Sequence, residues 1–241
     1  MELKNMIDKR KSVRKFSDTP VSANTLGQIR EAFAAFKPLY PMIKVAWEVV
    51  EQAQVRFYLP WRTPQLIAIY SENQPGYLEN AGFLFQQMDL YLQSIGLGAC
   101  WMGMGKVREN LDCNLEDMEF VILLAFGYPE GDALREDSSQ FQRKSLAEIA
   151  DAEDPRLEPA RLAPSSTNSQ PWFFVHEEDA IHAYCSKAGV LRHLGLGKMN
   201  RIDMGIALAH MYVANPDSFH FFLAPPAQER KGYLYIGTFV V

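Results

Sequence analysis

The sequence predicts an α+β fold, and three observations support this class. The predicted order is helices, a strand, a buried helix and a strand, followed by a helix, a hairpin, a second buried helix and further strands. A regular βαβ array would alternate strand and helix throughout. No G-x-G-x-x-G stretch precedes a predicted helix, so the fingerprint of a Rossmann dinucleotide fold is missing. The 241 residues, 48% of them hydrophobic, suffice for one large domain or two tightly joined halves.

The chain begins with two predicted helices and a strand. Residues 22–36 have an N-cap candidate at Ser22 and apolar residues at helical spacing, which predicts a helix. Residues 42–53 are predicted to form a second helix. Residues 65–71 form an apolar run of strand length, so we expect a strand there.

The strongest helical pattern lies at residues 77–95. Apolar residues recur there at spacings of three and four, and further apolar side chains occupy the other faces. A helix that is apolar most of the way round is buried. We expect this helix to end at Gly96, because glycine favours the position after a helix. Residues 118–129 then read as a buried central strand.

The second half follows a polar surface connection at residues 130–145. Its predicted elements are a helical segment at 145–162, a hairpin at 172–185, a mostly apolar helix at 201–214, and strands at 219–224 and 233–241. The two halves have a similar order without evident residue identity. A divergent internal duplication and an accidental α+β rhythm both remain open.

Composition excludes several classes of protein. The net charge is −5, so no global basic excess indicates nucleic acid. The first 16 residues are charged and lack the apolar region of a signal peptide. No apolar run approaches the roughly 20 residues of a membrane span. We therefore expect a protein that binds neither nucleic acid nor membrane.

The three cysteines, Cys100, Cys113 and Cys185, form no C-x-x-C pair and are odd in number. This indicates a reducing, cytoplasmic setting with each thiol as a small buried residue. The five histidines form no ligand pattern such as H-x-x-x-H, so we expect structural or surface roles and no metal site. Asp89 and Asp203, within the buried helices, are expected to have hydrogen-bonding partners rather than to act as catalytic bases.

Three stretches could carry chemistry. The first, DKRKSVRKF at residues 8–16, has four cations within six residues and a hydroxyl at Ser12. If the segment is extended, Arg10, Ser12 and Arg14 share one face. Two guanidinium groups and a hydroxyl suit a phosphate dianion. A solvated basic turn is the alternative.

The second stretch, GLGACWMGMGK at residues 96–106, has four glycines in ten positions. Such a backbone turns tightly or approaches something closely. A phosphate-binding P-loop is excluded because the Gly-Lys pair lacks the following Ser or Thr and the upstream spacing. A flat, apolar, hydrogen-bonding ligand suits this stretch, and a glycine-rich turn with core side chains is the alternative.

The third stretch, APSSTNSQPW at residues 163–172, has prolines that stiffen both ends and remove donors. Its hydroxyls and amides can cap neighbouring elements or bind the polar edge of a ring. Read alone, it is a capped turn.

Together these stretches resemble the nitroreductase superfamily of FMN-dependent oxidoreductases, over most of the chain. The family's R-x-S-x-R matches Arg10, Ser12 and Arg14, and its APSxxNxQPW matches residues 163–172. A long apolar helix running into GLGxxW(M/I)G matches residues 82–103, and a following lGyP strand matches 121–129. A basic pair before an l-x-E-x helix matches Arg143 and Lys144.

The order of the motifs departs from most of the family. There the APSxxNxQPW stretch follows soon after R-x-S-x-R, and two interlocked subunits bind each flavin between them. Here residues 37–50 occupy that place, and the stretch arrives in the second half. The resemblance therefore implies the branch with a duplicated, fused chain: residues 1–144 and 145–241 form two nitroreductase-like halves packed as a pseudo-dimer in one compact unit. It implies one FMN per chain, and a monomer or weak homo-oligomer.

The resemblance also implies roles for individual residues. Arg10, Ser12 and Arg14 hold the FMN phosphate and ribityl chain, Arg143 adds a guanidinium to the phosphate, and Lys11 reaches the pyrimidine side of the ring. The backbone at Trp101, Met102 and Gly103 lies beside flavin N5. The ring is lined from the other half by Pro164, Ser165, Ser166 and Asn168.

The implied activity is ping-pong reduction of nitro compounds, quinones or similar acceptors, with NAD(P)H as reductant. The chemistry belongs to the flavin, so we name no catalytic side chain. Two alternatives stay open: an FMN-binding protein with little turnover, for sensing or storage, and a specialised flavin enzyme such as a reductive dehalogenase.

Overall fold

The computed structural model describes residues 3–56, 61–108, 117–187, 195–224 and 229–241. The α-helices in these ranges are α1 (Ala23–Ala34), α2 (Tyr77–Ser94), α3 (Leu146–Ile149), α4 (Glu158–Leu162) and α5 (Leu196–Ala214). The strands are β1 (Val45–Glu51), β2 (Val55–Arg56), β3 (Gln65–Glu72), β4 (Gly98–Met102), β5 (Lys106–Val107), β6 (Met118–Gly127), β7 (Trp172–Glu177), β8 (Ala180–Ser186), β9 (His220–Phe222) and β10 (Tyr233–Val240).

Two four-stranded antiparallel sheets have the same connectivity. Their strand orders are β1-β3-β6-β4 and β7-β8-β10-β9. In each sheet the chain forms two adjacent strands, passes through a long helix, and returns as an edge strand and then an inner strand. A small pair, β2 and β5, stands apart from both. The mixture of helices and antiparallel sheets confirms the predicted α+β class.

The long helices α2 and α5 cross at the centre of the molecule with unusually close backbones. A Cβ on Gly82 would lie 2.1 Å from the Ile202 carbonyl oxygen, and a Cβ on Gly205 would lie 2.0 Å from that of Glu79. Only glycine permits this approach from both sides. All α2 residues from Tyr77 to Gln93 are buried, as the all-round apolar pattern predicts.

The predicted helix boundaries at Ser22 and Gly96 are confirmed. The Ser22 side chain accepts a hydrogen bond from the Thr25 backbone N–H at 3.2 Å, which satisfies a free donor at the start of α1. Gly96 has φ of +83° after α2. The Leu97 N–H then donates to the Leu92 carbonyl at 2.9 Å, which closes the end of the helix.

The prediction of a helix at residues 42–53 is wrong. Val45–Glu51 is a strand, β1, paired antiparallel with β3 so that Trp47 lies opposite Ile69. The three valines of this segment are β-branched, and they favour a pleated strand that packs against a partner. The partner strand is distant in sequence, and the local helical spacing did not reveal it.

The helical segment predicted at 145–162 is only partly helical. α3 ends at Ile149, and Ala150 forms a bridge with Phe174 of β7. A new turn begins where the Asp154 side chain accepts from the Arg156 N–H. The segment is divided because capping and strand pairing satisfy its backbone groups locally. The hairpin at 172–185 is confirmed as β7 and β8, and the terminal strands as β9 and β10.

Buried cysteines and histidines have the structural surroundings that the sequence predicts. Cys100 and Cys185 are buried, and burial raises the pKa of Cys185 to about 12. His182 and His210 are buried and hydrogen-bonded. Cys113 and His193 lie outside the described residues. Within the part of the chain that the structure describes, no helix is long and apolar enough to cross a membrane. The cytoplasmic location stays a prediction.

Candidate functional site

The N-terminal basic motif lies against the glycine-rich strand β4. The Val13 N–H donates to the Ala99 carbonyl at 3.0 Å, and Ser12 forms a parallel bridge with Ala99. A Cβ on Gly98 would lie only 2.7 Å from the Val13 side chain. The glycine therefore allows the first two motifs to run side by side, which explains one of the four glycines in this stretch.

Arg10 is held in a buried polar network. It is 1% exposed, its Nε lies 3.0 Å from the Asp89 carboxylate, and its Nη2 donates to Ser12 Oγ at 3.3 Å. Arg10 and Ser12 thus lie together, as the extended spacing predicts. Asp89 also accepts from the side-chain amides of Gln86 at 3.0 Å and Gln93 at 2.6 Å. Its predicted role as a partnered buried carboxylate is confirmed.

Arg14 and Lys11 occupy different surroundings from Arg10. Arg14 is exposed, and it makes no side-chain hydrogen bond or ion pair with any described residue. The Lys11 N–H donates to Gln93 Oε1 at 2.8 Å, and its ammonium donates to the Asp132 carbonyl at 3.1 Å. Lys11 is therefore directed at the connection that follows β6.

Arg143 lies between the connection after β6 and the APSSTNSQPW stretch. Its Nε donates to the Ala163 carbonyl at 3.0 Å, and its Nη1 donates to Asn168 Oδ1 at 2.7 Å. Burial, followed by the charges of Arg10 and Arg135, lowers the pKa of Arg143 to about 10. Like charges therefore surround this guanidinium, which favours a bound anion.

Two further bonds tie the same segments together. The Asn168 side-chain amide donates to the Gln142 carbonyl at 2.8 Å, and the Lys144 N–H donates to Gln170 Oε1 at 2.8 Å. The basic pair and the APSSTNSQPW stretch, which are some 20 residues apart in sequence, thus form one surface.

The APSSTNSQPW stretch contains strained backbone. Thr167, Asn168 and Gln170 have φ of 52°, 58° and 47°, in the left-handed region that non-glycine residues seldom adopt. The Gln170 N–H donates to Ser165 Oγ at 2.8 Å, which supports this conformation. Strain of this kind persists where the surroundings enforce it and often marks a binding site.

Asp203 of α5 anchors the same stretch. The Ser166 N–H donates to both Asp203 oxygens, at 3.0 and 3.1 Å. Burial raises the pKa of Asp203 to about 8, although the Ser166 N–H opposes this shift. Pro164 is buried, Ser165 and Ser166 are half-buried, and Asn168 is exposed, so the stretch presents polar groups outward from a fixed base.

The side chain of Trp101 is fixed by a network that spans the molecule. Its indole N–H donates to Gln86 Oε1 at 3.1 Å, and Gln86 Nε2 lies 3.1 Å from His210 Nε2. Burial lowers the pKa of His210 to about 3, so the ring is neutral. His210 Nδ1 lies 3.0 Å from the Pro159 carbonyl and must carry the proton, which leaves Nε2 to accept from Gln86.

The turn after β4 is tight on both sides. Met102 is buried, and a Cβ on Gly105 would lie 2.6 Å from Leu123 Cδ1. Gly103 is exposed, and a Cβ there would lie 2.8 Å from the Met199 sulfur. The backbone at Gly103 is therefore accessible and bordered by Met199 of α5.

The structure brings most of the predicted site residues together in two groups. Arg10 and Ser12 lie along β4, and Arg143 joins Asn168 and the stretch around it. Sequence reasoning missed Arg135, whose Nη1 donates to the Arg10 carbonyl. It stands alone in a polar connection, so no spacing or motif could have identified it.

One solved structure shares the fold of this chain over nearly its whole length, and other nitroreductase structures match parts of it. A structure described as a "putative nitroreductase" from Thermotoga maritima shares 21% identity over 99% of this chain and 92% of that chain, with a TM-score of 0.63. An FMN-dependent nitroreductase from Clostridium difficile matches 54% of this chain and 90% of its own at 20% identity, with a TM-score of 0.41. A nitroreductase with bound FMN from Bacteroides fragilis matches 56% of this chain and 95% of its own at 17% identity, with a TM-score of 0.42.

The family model described as "Putative TM nitroreductase" matches residues 2–215. The chain belongs to this nitroreductase family, as the motifs predict. No curated protein sequence matches the chain.

Proposed function

We propose that this protein is an FMN-dependent NAD(P)H oxidoreductase that reduces nitro compounds, quinones or similar acceptors by ping-pong hydride transfer. The observation that carries the proposal is the meeting of the three motif regions. The basic N-terminal motif lies along the glycine-rich strand, and Arg143 is bonded to Asn168 of the strained APSSTNSQPW stretch. Arg135, which donates to the Arg10 carbonyl, and Arg143 both lie against the Phe141 ring, which links the two groups.

The donor set fits a phosphate group. Neither Arg14 nor Arg143 forms an ion pair with a carboxylate among the described residues. The charges that act on Arg143 are those of other arginines, with Arg10 and Arg135 foremost. The guanidinium of Arg14, which has no partner among the described residues, matches the fork geometry of a phosphate dianion. Arg143 uses four of its five N–H donors within the protein, so it would contribute one donor and its charge. Arg10 and Ser12 would support the same end of the site. The Lys11 ammonium is bonded to the Asp132 carbonyl and would have to leave that bond to reach the pyrimidine side of the ring.

The accessible backbone at Gly103 fits the edge of a flat ring. Trp101 and Met102 would fix this platform, since one is held by Gln86 and the other is buried. Pro164, Ser165, Ser166 and Asn168 would face the ring from the opposite side. Bound FMN would supply the hydride chemistry, while these residues bind it, orient it and limit the access of water.

We propose that the chain contains two related halves, residues 1–144 and 145–241, packed as a pseudo-dimer. The two sheets have the same connectivity, and the crossing glycines contact each other's helix reciprocally. Asn80 and Asp203 each precede a crossing glycine by two residues. Asn80 Oδ1 accepts from the Tyr40 N–H at 2.9 Å, as Asp203 accepts from the Ser166 N–H. These four contacts form two matching pairs, in which Gly82 and Asn80 of α2 correspond to Gly205 and Asp203 of α5.

The same relation supports one FMN per chain. Tyr40 corresponds to Ser166, and its ring packs edge-on against Phe221 with centroids 5.5 Å apart. A Cβ on Gly76 would lie 2.7 Å from that ring. Aromatic side chains therefore fill the second position, where the first position has small polar residues.

An anaerobic reduction experiment tests the proposal. Purified protein is expected to carry yellow FMN, one per chain, and NADH or NADPH should bleach its visible absorption. Reoxidation by a panel of nitro compounds, quinones and halogenated aromatics then identifies the acceptor class. Yellow protein that neither nucleotide reduces would instead support storage or sensing, and halide release would support a dehalogenase. Colourless protein that does not bind added FMN would overturn the proposal.

A further inference from the structure

Arg135 lies beside the N-terminal motif and is fixed there by its backbone. Its N–H donates to the Lys9 carbonyl at 2.7 Å, and the preceding residue, Leu134, forms an antiparallel bridge with Arg10. The Arg135 side chain also contacts this motif, because its Nη1 donates to the Arg10 carbonyl. The guanidinium is therefore held at a defined place next to the motif.

Phe141 holds two guanidinium groups at one ring. The Cζ atoms of Arg135 and Arg143 lie 4.1 Å and 5.3 Å from the centroid of this buried ring. Stacking on an aromatic face orients a planar guanidinium and leaves its in-plane N–H groups available. The ring thus keeps two positive charges close together, where mutual repulsion would otherwise separate them.

Arg135 keeps more free donors than Arg143. A guanidinium group has five N–H donors. Arg135 uses two, to the carbonyls of Gln140 and Arg10, so three have no partner among the described residues. Arg143 uses four, to Ala163, Gln142, Asn168 and Leu162, so one remains.

Nearby acidic residues do not neutralise Arg135. Glu136 accepts from the Gln140 side-chain amide, and Asp137 Oδ1 accepts from the Ser139 N–H at 2.7 Å. Neither forms an ion pair with Arg135. Burial, followed by the charge of Arg10, lowers the pKa of Arg135.

We propose that Arg135, oriented by Phe141, binds the phosphate of the flavin and makes the site specific for FMN over riboflavin. This inference rests on the proposed function, and it adds a residue that the motifs do not include. Three free N–H donors on a fixed, unneutralised guanidinium suit a phosphate dianion. Arg143, whose donors are nearly all used, then serves mainly to join the phosphate end to Asn168.

The test compares FMN and riboflavin, which differ only in the phosphate. The flavin-free protein is titrated with each flavin, and quenching of flavin fluorescence gives the two dissociation constants. Arg135→Gln is expected to weaken FMN binding by about 10- to 100-fold, the range for losing a hydrogen bond to a charged group. Riboflavin binding should change less than about twofold, within the scatter of a surface substitution.

Arg30→Gln is the matched control, because Arg30 also stacks on an aromatic ring, Trp47, at 4.7 Å but lies on α1. It should change neither constant. Arg135→Lys keeps the charge without the planar fork, so it should retain part of the preference for FMN.

Three results would overturn the inference. Equal weakening of FMN and riboflavin by Arg135→Gln would mean that Arg135 acts only through the fold. Unchanged FMN affinity in a folded Arg135→Gln variant would mean that it does not touch the phosphate. A wild-type chain that binds neither flavin would overturn the proposed function as well, so the two failures are distinguishable.

Discussion

The crossing of α2 and α5 gives a stability prediction with a magnitude. In Gly82→Ala, the new methyl group would lie 2.1 Å from the Ile202 carbonyl oxygen and 3.2 Å from the Ile206 nitrogen. Both are backbone atoms within a helix, so no side-chain rotation can relieve the contact. The helices must separate by about 1 Å to restore ordinary packing, and such overpacking typically costs about 1–3 kcal/mol or more.

The helical preference of alanine offsets part of this cost. Alanine replaces glycine in a helix with a gain of about 1 kcal/mol at most, so we expect a net loss of about 1–2 kcal/mol in the free energy of unfolding. Urea unfolding followed by circular dichroism measures this loss. Gly27→Ala is the matched control: Gly27 lies inside α1, and a Cβ there meets no atom within 4 Å. It should stabilise the protein by about 0.5–1 kcal/mol.

The reciprocal contact predicts coupling between the two glycines. Once one alanine has separated the helices, the second meets less resistance, so the double variant Gly82→Ala/Gly205→Ala should lose less than the sum of the single variants. A Gly82→Ala variant at least as stable as the wild type would refute the reasoning, because the backbone approach would then be soft. Strictly additive losses would refute the coupling.

Three more predictions concern single residues. Arg143→Gln removes the bond to Asn168, so it should raise protease cleavage within residues 163–172 more than Arg30→Gln does. Equal cleavage of the two variants would mean that Arg143 does not stabilise this stretch. Burial raises the pKa of Asp203 from 3.8 to about 8, so between these values the native state retains a proton that the unfolded chain releases. The free energy of unfolding of the wild type should therefore decline as the pH rises from about 4 to about 8. Asp203→Asn should bind FMN normally and should not show this decline. A wild type and variant with parallel stability across this range would refute that sign. Burial opposes protonation of His176, but hydrogen bonds to two carboxylates outweigh it and raise its pKa above 6.5. The stabilising effect of these bonds is therefore complete below pH 6.5 and declines as the pH rises beyond it. His176→Gln should abolish this pH dependence in urea unfolding, and an unchanged dependence would exclude His176 as its source.

Elements with a strong local signal were predictable from the sequence. α2 has apolar residues on every face and a glycine directly after it, so both its burial and its end followed from periodicity and from the left-handed preference at Gly96. The hairpin of β7 and β8 has its turn between two short apolar strands. In each case the determining interactions lie within a few residues of one another.

Features that depend on distant partners were not predictable. β1 is a strand because β3 pairs with it, and a helical spacing at residues 42–53 concealed this. Arg135 has no motif, and only the bridge between Leu134 and Arg10 brings it to the site. The roles of the crossing glycines depend on a helix that lies more than 100 residues away. Local patterns carry no information about such contacts before the chain has folded.

The proposed pairing of two halves in one chain has an energetic consequence. In a two-chain assembly, folding and association are coupled, so the melting temperature rises with protein concentration. A covalent connection makes the same contacts intramolecular, and their effective concentration no longer depends on dilution. The links between Gln86 and His210, and between Glu79 and Arg201, would then form at any concentration. We expect the melting temperature to stay constant on dilution, and a decline would mean that a second chain completes the fold.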